Sequence, residues 1–277
     1  MTATVKADGA EFSSIRNQAG HELLWQAGPA WPRHAPVLFP IVGRLKDDRL
    51  HHRGRDYVMT QHGFARDHRF AWADTSGASC RLVLEDTAAT RAIYPIAFRF
   101  AVEYVAAGDT VSVIFTVTNT GDETLPASMG AHPAFKWPLA DGIAKQAHFL
   151  QFDADEPGPI RGVQGGLLLE KTRSTPIRDR VLPLREELFA ADALILDPVA
   201  SRRVRFTAAG GPSIEVGWDG FPELGIWTRP GVDLLCIEPW HGMASPVGFD
   251  GAFVEKPGIF LLPPGEARSA VHRIRVG

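Results

Sequence analysis

The chain has 277 residues, enough to bury a sizeable core, and its 45% hydrophobic and 22% charged content is that of a globular chain, not a disordered one. The formal charge of −3, with basic residues scattered apart from short clusters such as "SRRVRF", gives no general attraction to nucleic acid or anionic lipid. The opening "MTATVKADGAEF" lacks the apolar segment of a secretory signal, and no run approaches the ~18 apolar residues of a membrane span, so the expected location is the cytoplasm.

In chain order, the first stretches that mix polar groups with backbone-shaping residues are "LFPIVGRLKDD" and "QHGFARDHRF". "DTAATRAIYP" reads as a short helical turn stopped by Pro95. Period-two alternation then takes over. In "AFRFAVEYV", Phe98, Phe100, Val102 and Tyr104 share one face and Arg99 and Glu103 the other. After the turn "AAGDT", Val111, Val113, Phe115 and Val117 share a face opposite Ser112, Thr116 and Thr118, which predicts an antiparallel hairpin. "GAHPAF" follows, and "LPLREELFAADAL" is expected to hold one more short turn.

A second hairpin is predicted in "RRVRFTAAGGPSIEVGW", where Ala209, Gly210, Gly211 and Pro212 supply the turn. "GIWTRPGVDLLCIEPW" and "PGIFLLPPGEA" are short apolar runs broken by Gly and Pro, and "ARSAVHRIRV" alternates again. That last alternation puts His272 with Ala270, Ile274 and Val276 on an apolar face. The 27 glycines and 21 prolines are spread along the chain and no fixed-period repeat is visible. One all-β domain over residues 1–277, a large antiparallel β-sandwich, is the expected architecture. Cys80 and Cys236 lie in apolar, strand-like runs and are expected as buried free thiols; no paired ligands at close spacing suggest a metal, and none is expected.

Four polar stretches carry the candidate chemistry. His132 in "GAHPAF" has small neighbours that would leave room for a ligand, and Pro133 holds it extended. Glu266 closes the "PPGE" turn; Arg44, His62 and Arg66 stand in "VGRL" and "QHGFAR". Taken singly, each is better explained by structure than by function. No G-x-S-x-G or P-loop motif is present.

As an ordered set, "LFPIVGRL", "QHGFAR", "GAHPAF", "DALIL", "GIWTRPG", "CIEPWHG" and "LLPPGEA" resemble the aldose 1-epimerase (galactose mutarotase) superfamily, in its LacX-like branch. The resemblance covers most of the chain and implies the superfamily's large β-sandwich and an isomerase activity that needs no cofactor. It implies that His132 is the catalytic histidine, acting as proton donor, and that Glu266 is the catalytic carboxylate. It further implies that Arg44, His62, Arg66, Asp192 and Trp240 contact the sugar, with Trp137 and Phe135 as further aromatics that pack in the core or face it. The expected reaction interconverts the α and β anomers of a hexose: a base takes the C1 hydroxyl proton, an acid protonates the ring oxygen, the ring opens, C1–C2 rotates and the ring closes.

Two features widen the expected substrates. The chain has only "DALI" where galactose mutarotases proper carry a longer motif, so hydroxyl recognition can differ from galactose. "HGFAR" also occurs in hexose-6-phosphate epimerases of the superfamily, where arginines hold the phosphate. A hexose-6-phosphate 1-epimerase and a non-catalytic sugar-binding or sensor protein are therefore the alternatives. The expected partner is a monosaccharide or sugar phosphate, bound by a monomer or homodimer, with no nucleic acid and no membrane.

Overall fold

Apolar alternation lays down the longest strands, as the sequence predicts. Phe98–Ala107 and Thr110–Asn119 pair as an antiparallel hairpin turned at Gly108, with Phe98, Phe100, Val102, Tyr104, Val111, Val113, Phe115 and Val117 all buried. Arg203–Ala208 and Ser213–Asp219 form the second predicted hairpin. Ala267–Val276 joins the two by pairing with Ser213–Asp219 on one side and Thr110–Asn119 on the other. These strands are the middle of a nine-stranded antiparallel sheet running from Val181–Pro183 to Ala71–Thr75.

A second, eight-stranded sheet runs in the order Leu167–Arg173, Ile160–Gln164, Leu194–Leu196, Glu223–Trp227, Leu234–His241, Met129–Ala131, Val37–Leu38, with Ala134–Lys136 also paired to Leu234–His241. The computed structural model describes residues 1–277. The inner faces of the two sheets meet in one cluster of 60 buried apolar residues, which includes Phe100, Phe115 and Trp218 from the first sheet and Leu224, Ile226, Leu235 and Ile237 from the second. This is a β-sandwich; burying each such side chain contributes roughly 1.5–3 kcal/mol.

Helix is almost absent. Ala88–Arg91 forms a single turn, its first amides capped by the Thr87 hydroxyl, which accepts from Thr90 N at 3.2 Å. Glu186–Phe189 forms a 3₁₀ turn within the predicted segment. No helix is long and apolar enough to cross a membrane. Both cysteines are free, but only Cys236 is fully buried; Cys80 is partly exposed, on the next-to-last strand of its sheet, Ser79–Glu85.

Strand Leu234–His241 positions the site. It is buried from Leu234 to Trp240, so both its faces are covered. Leu235 and Ile237 belong to the core between the sheets, whereas Cys236 packs on the other face with Ala134, Trp25, Trp31 and Trp227, and Trp240 with Leu38, Val42 and Ile195. By the same alternation Glu238 projects onto that outer face.

Candidate active site

Strand register brings the central pair together. Gly130 opposes Trp240 and Ala134 opposes Cys236. The same register carried through His132 and Pro133 sets His132 opposite Glu238, both side chains on the outer face. Cross-strand neighbours of this kind have Cβ atoms about 4.5–5.5 Å apart. His132 Nε2 lies 3.2 Å from Glu238 Oε2, with only 9% and 1% of the two side chains exposed.

The pair lies in a cavity of about 660 Å³, a volume suited to a monosaccharide and its water. Trp31 stacks on the His132 ring at 5.2 Å and 28°, while Trp227 and His62 meet it edge-on at 6.1 and 5.5 Å. His62 is held in a left-handed conformation (φ 68°) beside Gly63 (φ 71°), where a Cβ would lie 2.2 Å from Phe39 O. Gly43 N–H donates to His62 Nδ1 at 3.1 Å, which leaves Nε2–H as the free donor of a neutral ring. Asp192, also left-handed at φ 78°, lines the cavity from an exposed position, and Arg66 and Arg229 line it as well.

Electrostatics push the pair toward neutrality. Burial, and then the Arg66 cation, lower the His132 pKa to about 3. Burial, and then the charge of Asp192, hold Glu238 well above the usual carboxylate range. His62 is lowered well below the ordinary histidine value by burial, then by His132, Arg66 and Arg33. Arg66 itself is lowered to about 10, chiefly by burial, and remains a cation at neutral pH. A neutral acid beside a neutral base, in a place little exposed to water, can exchange protons with two oxygens of one ligand.

A family profile described as "Aldose 1-epimerase" matches residues 1–261. The chain is 31% identical to the chromosomal LacX protein of Lactococcus lactis subsp. lactis over 276 residues, covering 95% of this chain and 92% of that protein. The chain belongs to the aldose 1-epimerase family. Its fold superposes with a TM-score of 0.92 on a galactose mutarotase related enzyme from Lactobacillus acidophilus, at 31% identity over 99% of this chain and 94% of that one. A galactose mutarotase-like protein from Lactobacillus casei gives 0.90 at 26% identity, over 99% and 96% of the two chains. Membership implies an isomerase of the mutarotase type.

In this epimerase-family chain His132, His62, Arg66, Asp192 and Trp240 line one cavity. Glu266 does not. It is exposed on the turn before Ala267–Val276, where its carbonyl accepts from Asn119 N at 2.9 Å, and it is absent from the cavity wall. Arg44 also falls outside: its guanidinium grips Asp48 through two 2.7 Å hydrogen bonds and donates to the Gly165 carbonyl at 3.4 Å, so it braces a loop of the wall.

Gly130 leaves room for the Trp240 indole and not for a ligand, since a Cβ there would lie 2.6 Å from the ring. Phe135 and Trp137 are buried in the core, and His241 packs against Phe260 outside the cavity. Glu238 is the residue that sequence reasoning missed. Its signal is present in "LLCIEPW", a lone acid inside an otherwise apolar run, in step with Cys236 and Trp240. A carboxylate desolvated in a central strand costs free energy that packing alone does not return.

Proposed function

We propose that this protein interconverts the α and β anomers of an aldose, with His132 and Glu238, in place of His132 and Glu266, as the acid–base pair. The observation that carries the proposal is the 3.2 Å approach of His132 Nε2 to Glu238 Oε2 in a cavity of monosaccharide size. Ring opening moves one proton off O1 and puts one on the ring oxygen; closure from the other face reverses both transfers. Whichever oxygen it faces, each member of the pair therefore donates in one half-reaction and accepts in the other, and the pair needs one proton in total. The His62 Nε2–H donor and the Asp192 acceptor serve the hydroxyls, and Trp31, Trp227 and Trp240 offer apolar faces to the sugar's C–H surface. Positioned acid–base groups supply roughly 10²–10⁴-fold each, a sufficient scale for a reaction that already proceeds slowly in water.

Arg66 and Arg229 in the wall favour a second reading, in which the aldose carries a phosphate. With Arg44 committed to Asp48, that recognition falls to these two arginines. Polarimetry of freshly dissolved α-glucose and α-galactose, with coupled detection of anomers of glucose 6-phosphate, separates the readings. Faster equilibration of a neutral hexose than in buffer supports the first, and acceleration of the phosphorylated sugar alone supports the second. Equilibration of all three at the buffer rate refutes both.

A further inference from the structure

One cysteine stands next to the pair and takes no part in the sugar chemistry. Cys236 is two residues before Glu238 on the same face of the same strand and diagonal to His132 across the register. One donor atom from each of His132, Cys236 and Glu238 lies within 4.8 Å of the other two, and all three residues are buried. The His132–Glu238 contact is close at 3.2 Å but is not aligned as a hydrogen bond, and Glu238 Oε2 has no hydrogen-bond partner. The two groups are therefore close without being bonded to each other, and Glu238 Oε2 is left free to take another partner.

We propose that His132, Cys236 and Glu238 form a three-donor site for one Zn²⁺ ion, which competes with the sugar. Imidazole, thiolate and carboxylate are the ligand types that zinc accepts, at bond lengths of about 2.0–2.3 Å. Those lengths set ligand atoms of a tetrahedron about 3.3–3.7 Å apart, so the His132–Glu238 separation of 3.2 Å needs almost no change. A thiol movement of about 1 Å completes the set within the same bond lengths. Ionised Cys236 and Glu238 would balance the charge of the cation in a place where each anion alone is costly. His132 and Glu238 both line the cavity, so an ion can reach them from the space in which the sugar is proposed to bind.

Occupation withdraws both proton-transfer groups at once and makes the site sensitive to free zinc. The competition rests on the sugar reaction proposed above; the binding does not. Co²⁺ is the spectroscopic probe, because a cobalt–thiolate bond gives a near-ultraviolet charge-transfer band that needs no catalysis to be seen. The chelator-treated protein is expected to develop the band at one Co²⁺ per chain and lose it as Zn²⁺ is added. Cys236→Ala, a small apolar side chain in an apolar cluster, is expected to abolish the band and to weaken Zn²⁺ inhibition at least tenfold, each protein compared with its own metal-free rate.

A band with no anomerisation of any sugar would uphold the metal site and refute the proposed reaction. Anomerisation without a band at saturating Co²⁺ would overturn the metal site alone. A band that persists in Cys236→Ala, or zinc inhibition unchanged by that substitution, would overturn it as well.

Discussion

At the scale of single residues, the two carboxylates show what local sequence can and cannot reveal. Glu266 stands in a Pro–Gly turn, where a polar residue looks deliberate, yet it lies exposed on the surface and outside the cavity wall. Glu238 is hidden in an apolar run and looks like an interruption, yet burial and the facing His132 make it the unusual group. The perturbed pair has a consequence for pH. His132 in the fold stays neutral down to about pH 3, and Glu238 keeps its proton above the usual carboxylate range, so the singly protonated pair persists across mild acidity. In chelator-treated buffer, kcat/KM from polarimetry should stay flat between about pH 7 and pH 5, whereas a base with a pKa of ~6.5 would lose about twentyfold. A loss of that size would contradict the assignment of a depressed His132.

At the scale of elements, the long hairpins are legible because one face is buried and the other wet, which writes a period of two into the sequence. The outer sheet is far less legible. Val37–Leu38, Met129–Ala131 and Leu194–Leu196 are too short to show a period. Leu234–His241 is covered on both faces and shows no alternation to say which side Glu238 takes. What fixes the site-facing side is close packing between strands. The Trp240 indole fills a slot over Gly225 and Gly130, and a Cβ at Gly225 would lie 2.4 Å from the ring. Gly225→Ala should therefore cost about 1–3 kcal/mol of stability by overpacking and raise KM through the displaced indole. Chemical denaturation and sugar-dependent rates check this; an unchanged midpoint together with an unchanged KM would show that the slot has slack.

At the scale of the molecule, fold class was legible and convergence was not. Residues 132 and 238 meet through strand register, and residues 31, 62 and 192 reach the same cavity from loops between strands, an arrangement that no local window contains. The shared core also carries a pH dependence separate from the site. His272 is stacked on Phe115 at 5.8 Å and 16°, and burial, with Arg273 adding, lowers its pKa to about 3. The unfolded chain takes up that proton below ~6.5 while the folded chain does not, so the histidine's share of stability is lost as pH falls below that value. His272→Phe removes the effect. Its stability relative to the parent should rise by about 2 kcal/mol between pH 7 and pH 5, as read from urea denaturation at each pH. Parallel curves would mean that His272 titrates alike in both states.

The proposed pairing takes the carboxylate of this site from the middle of a buried strand and not from the terminal turn. Its most direct test is to compare Glu238→Gln, His132→Ala and Glu266→Gln on whichever aldose the parent protein turns over best, after circular dichroism shows all three folded. The first two should lose roughly 10²–10⁴-fold in kcat/KM, while Glu266→Gln keeps the parent rate. A full-rate Glu238→Gln, or a Glu266→Gln as impaired as His132→Ala, would contradict the account.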